Sequence, residues 1–359
     1  LGYNAASSTN GVLELGDAGG AVSVGVVNLT SVGGTGGNAV IGNSTADSTL
    51  TINNVVLNDT FAGTIGGTGT NNNNLNIIKT GAMTQTFSGT DTYTGSTTVT
   101  AGTLDLTGDN SAIGTTVNVQ GGALQIGFNT APNGVSGINA ATVLTLGSGT
   151  GSGLLVLGDG NGAVNQTLAS LTTLGSGTGN AVVGGATANS VLTVNNSAAD
   201  TFSGNLGGTG INNNALALVK AGAGTLTLTG NDTYTGGTTL EEGSLNLGSA
   251  GALGTTGDIT FAGGTLQYSA ANTTDYSSQF VGSTSPVSID TNGQNVTFAT
   301  ALAYASSLVK SGSGTLTLST DNTYVGATTV DGGTLAVANS SLGGTAVTVN
   351  SGGTFSAVG

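Results

Sequence analysis

The chain has 359 residues, of which only 6% are charged and 66 are glycine. Three lysines, no arginine and no histidine stand against 17 acidic residues, which gives a net charge of −14. Nucleic acids are bound by basic patches, so this composition excludes nucleic acid as a partner. Without histidine or cysteine, neither a Ser-His-Asp nor a Cys-His catalytic arrangement is possible.

No run of 18 apolar residues occurs, so we expect no transmembrane helix. The chain begins at Leu1 without a signal peptide, which predicts a processed or excised part of a longer protein. Hydrophobic residues nevertheless make up 37% of the chain and are regularly spaced, which favours a folded protein over a disordered one.

In chain order, a large duplication comes first. Residues 1–140 are repeated, with changes, by residues 141–271, and a shorter third unit covers residues 272–359. The matching segments are residues 11–20 with 153–162, and residues 38–54 with 180–196. No charged or proline-rich linker separates the units, so we expect one continuous solenoid over residues 1–359.

A finer repeat lies inside each unit, at residues 75–127, 216–269 and 308–359. Each copy holds three short segments in which apolar and polar residues alternate, spaced 19 to 21 residues apart. Such segments, each ended by turn residues, predict half-buried strands. The segments are residues 85–87, 104–106 and 124–126; 226–228, 245–247 and 266–268; and 316–318, 335–337 and 355–357.

Stacked coils of this kind predict an all-β parallel β-helix, or β-solenoid, with about 20 residues per coil and negligible helix. About 18 coils with a rise of roughly 4.8 Å each would give a rod about 85 Å long.

The three lysines, Lys79, Lys220 and Lys310, occupy the same repeat position, and each has an aspartate 20 residues earlier. If a coil has about 20 residues, these pairs stack on neighbouring coils. The spacing therefore predicts structural ion pairs between coils, with anion binding as the alternative. The predicted pairs are Lys79 with Asp59, Lys220 with Asp200 and Glu241, and Lys310 with Asp290 and Asp331.

Two clusters of turn residues, 66–74 and 207–214, are too long for a tight corner and should bulge from the solenoid. They are possible contact loops, and the alternative is that their asparagine amides satisfy neighbouring coils. The candidate contact residues are Asn71, Asn72 and Asn73 in the first loop, and Asn212, Asn213 and Asn214 in the second. The recurring Tyr93, Tyr234 and Tyr324 favour a corner-filling role over a sugar-stacking platform.

No cofactor or dedicated metal site is predicted. Asp17 and Asp159 lie in glycine-rich turns that lack the further carboxylates of a calcium loop, so at most weak calcium binding is expected. The adjacent Glu241 and Glu242 leave hydrolysis of a neutral sugar formally open.

The segments that begin at the lysines resemble the passenger-associated repeat of bacterial autotransporters. The motif is carried by Lys220, Gly222, Gly224, Thr225, Leu226, Leu228, Gly230, Tyr234, Gly236 and Thr238, and recurs at Lys310, Gly312, Gly314, Thr315, Leu316, Leu318, Tyr324 and Gly326. The first copy departs from it, with Met83 and Gln85 in place of glycine and leucine. The resemblance implies a right-handed parallel β-helix that crosses an outer membrane and is displayed at, or released from, the surface of a Gram-negative-type bacterium.

From these observations we expect a non-enzymatic, extracellular structural or adhesive rod. Its partners would be further copies of itself, stacked end to end or side by side in a fibre or biofilm matrix, or cell-surface and glycan ligands. The alternatives are a rod that binds glycan or ice, and the non-catalytic stalk of a larger secreted hydrolase.

Overall fold

The computed structural model describes residues 10–31, 37–129, 137–254, 256–283, 285–303, 307–338, 342 and 346–358. Leu1 and Gly359 lie outside the described residues. The chain forms two compact units, which are described separately: the first comprises Leu1–Leu192 and Thr209–Ala215, and the second Thr193–Gly208 and Leu216–Gly359. The expectation of one continuous solenoid stays a prediction.

Short strands dominate the described residues. The first eighteen are β1 Val12–Leu15, β2 Ser23–Val26, β3 Ala39–Gly42, β4 Ser48–Asn53, β5 Asp59–Phe61, β6 Thr64–Ile65, β7 Leu75–Thr80, β8 Thr84–Phe87, β9 Thr97–Val99, β10 Thr103–Leu106, β11 Thr116–Val119, β12 Ala123–Ile126, β13 Val143–Leu146, β14 Leu154–Leu157, β15 Asn165–Leu168, β16 Ser170–Thr173, β17 Ala181–Gly184 and β18 Ser190–Asn195. The others are β19 Asp200–Phe202, β20 Asn205–Leu206, β21 Leu216–Ala221, β22 Thr225–Leu228, β23 Thr238–Leu240, β24 Ser244–Leu247, β25 Ile259–Phe261, β26 Thr265–Gln267, β27 Val287–Asp290, β28 Asn295–Phe298, β29 Leu308–Ser311, β30 Thr315–Leu318, β31 Thr328–Val330, β32 Gly333–Ala338, β33 Val347–Val349 and β34 Gly353–Val358.

Both units are built from parallel ladders in which each strand pairs with the equivalent strand one turn later. In the first unit the ladder orders are β1-β3-β6, β5-β8-β10-β12-β14-β17 and β2-β4-β7-β9-β11-β13-β16. In the second unit they are β21-β23-β25, β19-β22-β24-β26-β27-β29-β31-β33 and β28-β30-β32-β34. The predicted all-β parallel solenoid is thus confirmed, with helix limited to about 1% of the chain.

Alternation within each strand explains the ladders. In β22, Leu226 and Leu228 are buried while the threonines beside them are half exposed. Leu226 stacks on Leu245 of β24, and Leu245 stacks in turn on Leu266 of β26. One short strand cannot bury its apolar side alone, but like residues stacked turn on turn form a continuous core.

The length of a turn is not uniform, and this corrects the predicted spacing. Inside the repeat cores the spacing is short, since Leu104 pairs with Gln85 and with Leu124. Where a loop is inserted the spacing grows, since Leu50 pairs with Ile77. The chain therefore has about 23 residues per turn and about 14 turns, rather than the predicted 20 and 18.

Close stacking also fixes where glycine is needed. A methyl group at Gly230 would lie 1.9 Å from the carbonyl oxygen of Gly204 one turn below, and one at Gly89 would lie 2.0 Å from that of Gly63. Any side chain at these corners would push the turns apart.

The only helix among the described residues is the three-residue 3₁₀ segment Ser277–Gln279. Among those residues no helix has the length and apolar character needed to cross a bilayer.

Candidate functional site

The three repeat lysines are buried inside the turns. Each side chain has an exposed fraction of 0%. Each ammonium donates hydrogen bonds to three backbone carbonyls, at 2.5–3.3 Å for Lys79, 2.6–3.1 Å for Lys220 and 2.8–3.0 Å for Lys310. The acceptors are Thr80, Gly81 and Ala101; Ala221, Gly222 and Glu242; and Ser311, Gly312 and Gly332. Each set of three carbonyls is called a carbonyl nest below.

The nest forms because the strand that carries the lysine ends in a tight turn two residues later. Gly222 follows β21 with φ 74°, a left-handed conformation that favours glycine, and its carbonyl points back at the ammonium. The third acceptor, Glu242, belongs to the next turn of the solenoid. The lysine therefore joins two successive turns.

Burial lowers the pKa of all three lysines from 10.5 to about 8. The carboxylates of Glu242 and Asp200 oppose this lowering for the pKa of Lys220, and Asp290 does so for the pKa of Lys310. The acidic residues thus act on the lysines electrostatically while the carbonyl nest holds the ammonium.

The predicted stacking of Asp59 on Lys79 and of Asp200 on Lys220 is wrong. Lys79 in β7 stacks on Ile52 and Val99, whereas Asp59 in β5 stacks on Gln85 in a different sheet. Likewise Lys220 stacks on Leu240, and Asp200 stacks on Leu226 in another sheet. The inserted loops add residues between each pair, so a spacing of 20 no longer corresponds to one turn.

The remaining predicted partners lie one position away from the lysines. Asp290 stacks on Ser311 beside Lys310, and alternation turns its side chain outward. The backbone N–H groups of Glu241 and Asp331 donate to the carbonyls of Lys220 and Lys310 at 2.8 Å, while both acidic side chains are exposed. Direct ion pairing at these residues stays a prediction.

The recurring tyrosines fill corners, as expected. Tyr93, Tyr234 and Tyr324 are at most 1% exposed, and their hydroxyls lie 2.6–2.7 Å from a threonine hydroxyl four residues later. A buried ring offers no face to a sugar, so the stacking-platform alternative is excluded.

Two open grooves lie in the first unit, one in each copy of the large duplication. The first has a volume of about 680 Å³ and the second about 120 Å³. Corresponding residues line them: an aspartate turn, the turn that follows the next strand, and a left-handed asparagine. The lining includes Asp17, Gly19, Asn43, Ser44, Thr70 and Asn71 in the first groove, and Asp159, Asn161, Ala186, Thr187 and Asn212 in the second.

The aspartates hold their own turns. Oδ1 of Asp17 accepts a hydrogen bond from the N–H of Gly19 at 2.7 Å, and Oδ1 of Asp159 accepts one from the N–H of Asn161 at 2.7 Å. Among the described residues, no cluster of three acidic, histidine or cysteine side chains could hold a metal ion. A single carboxylate per groove does not make a calcium site.

The predicted contact loops prove to be ordered by their own asparagines. Asn71 and Asn212 have φ of 64° and 63°, a conformation that asparagine tolerates better than most residues. The amide oxygen of Asn72 accepts from Gly69, and that of Asn73 accepts from Gly67 and from the hydroxyl of Thr92. These two side chains therefore maintain the loop, and a contact role for the asparagines stays a prediction.

The second loop has the same form. The N–H of Asn213 donates to the carbonyl of Gly210 at 3.2 Å, and that of Gly184 donates to the carbonyl of Asn213 at 3.0 Å. Asn214 likewise has a non-covalent contact partner. The exposed part of each loop is its tip, residues 68–70 and 209–211, and Ile211 is 91% exposed. In the sequence the asparagines are the most conspicuous feature of each loop, whereas the structure exposes the residues just before them.

Comparison with known proteins explains the lysine and tyrosine pattern. The family model described as passenger-associated-transport-repeat matches residues 77–106, 101–126, 218–247 and 308–337. These segments are passenger-associated-transport repeats. The resemblance seen in the sequence is therefore confirmed.

A curated relative carries a functional name. The chain is 28% identical to the adhesin BmaC autotransporter of Brucella suis biovar 1 (strain 1330) over 364 aligned residues, which cover 96% of this chain. The chain spans 10% of that relative's length. No solved structure matches the chain.

The repeats and the grooves occupy different parts of the chain. Lys79, Lys220 and Lys310 lie inside the matched passenger-associated-transport repeats. The residues that line the two grooves lie between positions 17 and 71 and between positions 159 and 212, outside every match. The matched repeats thus form turns of similar structure. The two grooves are formed by residues outside these repeats.

Proposed function

We propose that the chain is a solenoid segment of an autotransporter passenger, displayed at or released from the surface of a Gram-negative-type bacterium, and that it acts by adhesion rather than by catalysis. The passenger-associated-transport repeats and the similarity to a protein named as an adhesin support this proposal. Since the chain spans a tenth of that relative, the activity of the whole protein is part of the proposal.

The observation that carries it is the pair of duplicated grooves. In each copy of the duplication, an aspartate turn and a left-handed asparagine line the same groove. Neither of these two features lies in a passenger-associated-transport repeat. The groove walls offer amide, hydroxyl and backbone groups and one carboxylate each, which suit a neutral, hydroxyl-rich ligand such as a cell-surface glycan. A net charge of −14 disfavours anionic surfaces.

Adhesion through the grooves is tested with beads coated with the protein and applied to cultured host cells. Replacing both Asn71 and Asn212 by glycine removes the side-chain amides of two residues that line the grooves and keeps the left-handed backbone. We expect the retained bead number to fall about threefold to tenfold, because each groove loses a hydrogen-bonding group.

Asn292 provides a matched control, because it is also left-handed, with φ 46°, and lies outside both grooves. The Asn292→Gly variant should bind like the wild type. Wild-type beads that adhere no better than albumin-coated beads, or a double variant that adheres normally, would contradict the proposal.

Self-association is a second candidate, favoured by an apolar loop between β4 and β5. Val55, Val56 and Leu57 are 52%, 72% and 60% exposed, whereas the other copy of the duplication has Ser197, Ala198 and Ala199 there.

Because the net negative charge opposes contact between two copies of the chain, we expect self-association in sedimentation velocity only at high salt. A Val56→Asp variant should lose this self-association. A monomer at every salt and protein concentration would exclude this candidate.

A further inference from the structure

Another groove lies wholly within the second unit, where three successive turns meet. It has a volume of about 400 Å³, within the range of small-molecule sites. Its lining includes Asn231, Asp232, Gly251, Thr274, Asp275 and Tyr276.

Gly251 forms the floor between the first and second turns. The N–H of Asp232 donates to the carbonyl of Gly251 at 2.7 Å. A methyl group at this glycine would lie 2.2 Å from the side-chain oxygen of Asn231 and 3.1 Å from its Cα, so the two turns approach each other closely here.

The third turn supplies a fixed polar wall. Asp275 accepts hydrogen bonds from the N–H groups of Ser277 at 2.8 Å and of Ala299 at 2.7 Å. The hydroxyl of Tyr276 accepts from the amide of Asn272 at 3.0 Å, so its own proton is directed to another acceptor. These contacts hold the polar groups in place before any ligand arrives.

Asp232 is the least satisfied member of the groove. It is 2% exposed, and its Oδ1 accepts from the N–H of Leu206 at 2.7 Å. Within the described part of the chain, its buried Oδ2 has no hydrogen-bond partner. At the same position of the third repeat, Asn322 accepts from the N–H of Leu302 and donates its amide to the carbonyl of Thr320 at 2.6 Å. A buried polar atom without a partner is uncommon in native proteins, and among the described residues the equivalent Oδ2 of Asp91 in the first repeat shares this state without lining any of the three grooves.

We propose that this groove binds a neutral sugar of one or two rings, whose hydroxyl groups bond to Oδ2 of Asp232 and to the hydroxyls of Thr274 and Tyr276. The cavity has the size of a small-ligand site, and its polar groups are hydroxyls, an amide and carboxyls rather than cations. Burial raises the pKa of Asp232 to about 8, so near neutral pH this carboxyl donates a hydrogen bond instead of attracting a cation.

This inference goes beyond the proposed adhesive function. Its groove is separate from the duplicated grooves of the first unit and shares no residue with them. The variants Asn71→Gly and Asn212→Gly leave it intact, so either proposal can be contradicted without affecting the other.

The test is saturation-transfer NMR of the whole chain with glucose, galactose, mannose, N-acetylglucosamine and their β-linked dimers, followed by titration calorimetry of the sugars that respond. Ala250→Trp fills the rim of the groove, since Ala250 is exposed and lines it. Ala271→Trp is the matched control, because Ala271 is exposed on a neighbouring turn and is not part of the lining.

We expect at least one sugar to bind with a Kd of roughly 1 mM, typical of a small polar ligand. Ala250→Trp should weaken that binding at least about tenfold and Ala271→Trp should leave it unchanged. The proposal is overturned if no sugar of the panel produces a saturation-transfer signal, or if the Ala250→Trp variant binds like the wild type.

Discussion

Replacing Lys220 by methionine is expected to lower the free energy of unfolding by about 2–4 kcal/mol at pH 7. Two effects oppose each other. Removing a buried cation relieves a net penalty of about 3 kcal/mol, which corresponds to the lowering of the pKa of Lys220 from 10.5 to about 8. Leaving the carbonyls of Ala221, Gly222 and Glu242 without their donor costs about 1–3 kcal/mol each, and this larger sum decides the sign.

Urea unfolding followed by far-ultraviolet circular dichroism measures the change. The control is Glu241→Gln, which removes a predicted ion-pair partner that is exposed. It should change stability by less than about 0.5 kcal/mol, because exposed pairs contribute little. If Glu241→Gln destabilises as much as Lys220→Met, the ion pair holds this position and the carbonyl nest does not.

The second large effect is an unusual dependence of stability on pH. Burial raises the pKa of Asp91 to about 7, with a smaller contribution from the nearby Asp109, and raises the pKa of Asp232 to about 8. A carboxyl group whose pKa in the folded state lies above its unfolded value of about 3.8 binds its proton more tightly in the folded state. Its stabilising contribution is complete below about pH 4 and is lost as the pH rises to about 8.

The three repeat lysines affect the dependence of stability on pH above about pH 8. Because burial lowers their pKa from 10.5 to about 8, the unfolded state binds more protons between these two values. Their contribution therefore makes stability rise with pH from about 8 to about 10.5. We therefore expect the free energy of unfolding to pass through a minimum near pH 8. Many proteins show no such minimum at this pH.

Asp232→Asn isolates the carboxyl effect. Asn322 shows that an amide satisfies this position. The variant should be more stable than the wild type by about 6 kcal/mol at pH 9 and nearly equal to it at pH 4, since a shift of one pKa unit corresponds to 1.36 kcal/mol. Urea unfolding at pH 4, 6.5 and 9 provides the comparison, and a wild type that gains stability steadily from pH 4 to pH 8 would contradict this assignment.

The strand segments could be predicted from sequence because burial depends on local alternation. Leu226, Leu245 and Leu266 are spaced as the repeat requires, and the structure stacks them directly. Register across the inserted loops could not be predicted, because the loop at residues 66–74 lengthens the turn and its chain path depends on hydrogen bonds between turns.

The sequence contains a feature that indicates the role of the lysines, although their charge and spacing point elsewhere. In all three copies a glycine follows the lysine at the second position: Gly81, Gly222 and Gly312. A glycine there indicates a left-handed turn that directs backbone carbonyls at the lysine. Charge and spacing alone suggest aspartate partners, but across an inserted loop the spacing in the sequence does not equal the spacing in the stack.

The grooves depend on contacts that no local pattern contains. In the sequence Asp17 belongs to a glycine-rich turn with at most weak calcium binding and Asn71 to a separate loop, whereas the fold places both around one groove. The groove at Asp232 joins three turns, and nothing in the residues around this aspartate indicates that its Oδ2 lacks a partner.

The claim that the added loops, and not the repeat cores, contact the partner surface is tested most directly by amide hydrogen exchange. Exchange would be measured by mass spectrometry on the chain alone and on the chain bound to membrane vesicles from cells that retain the coated beads. The account predicts slower exchange on binding at residues 66–74 and 209–214, with the strands of the passenger-associated-transport repeats unchanged. Protection confined to the repeat strands, with those loops exchanging as before, would contradict it.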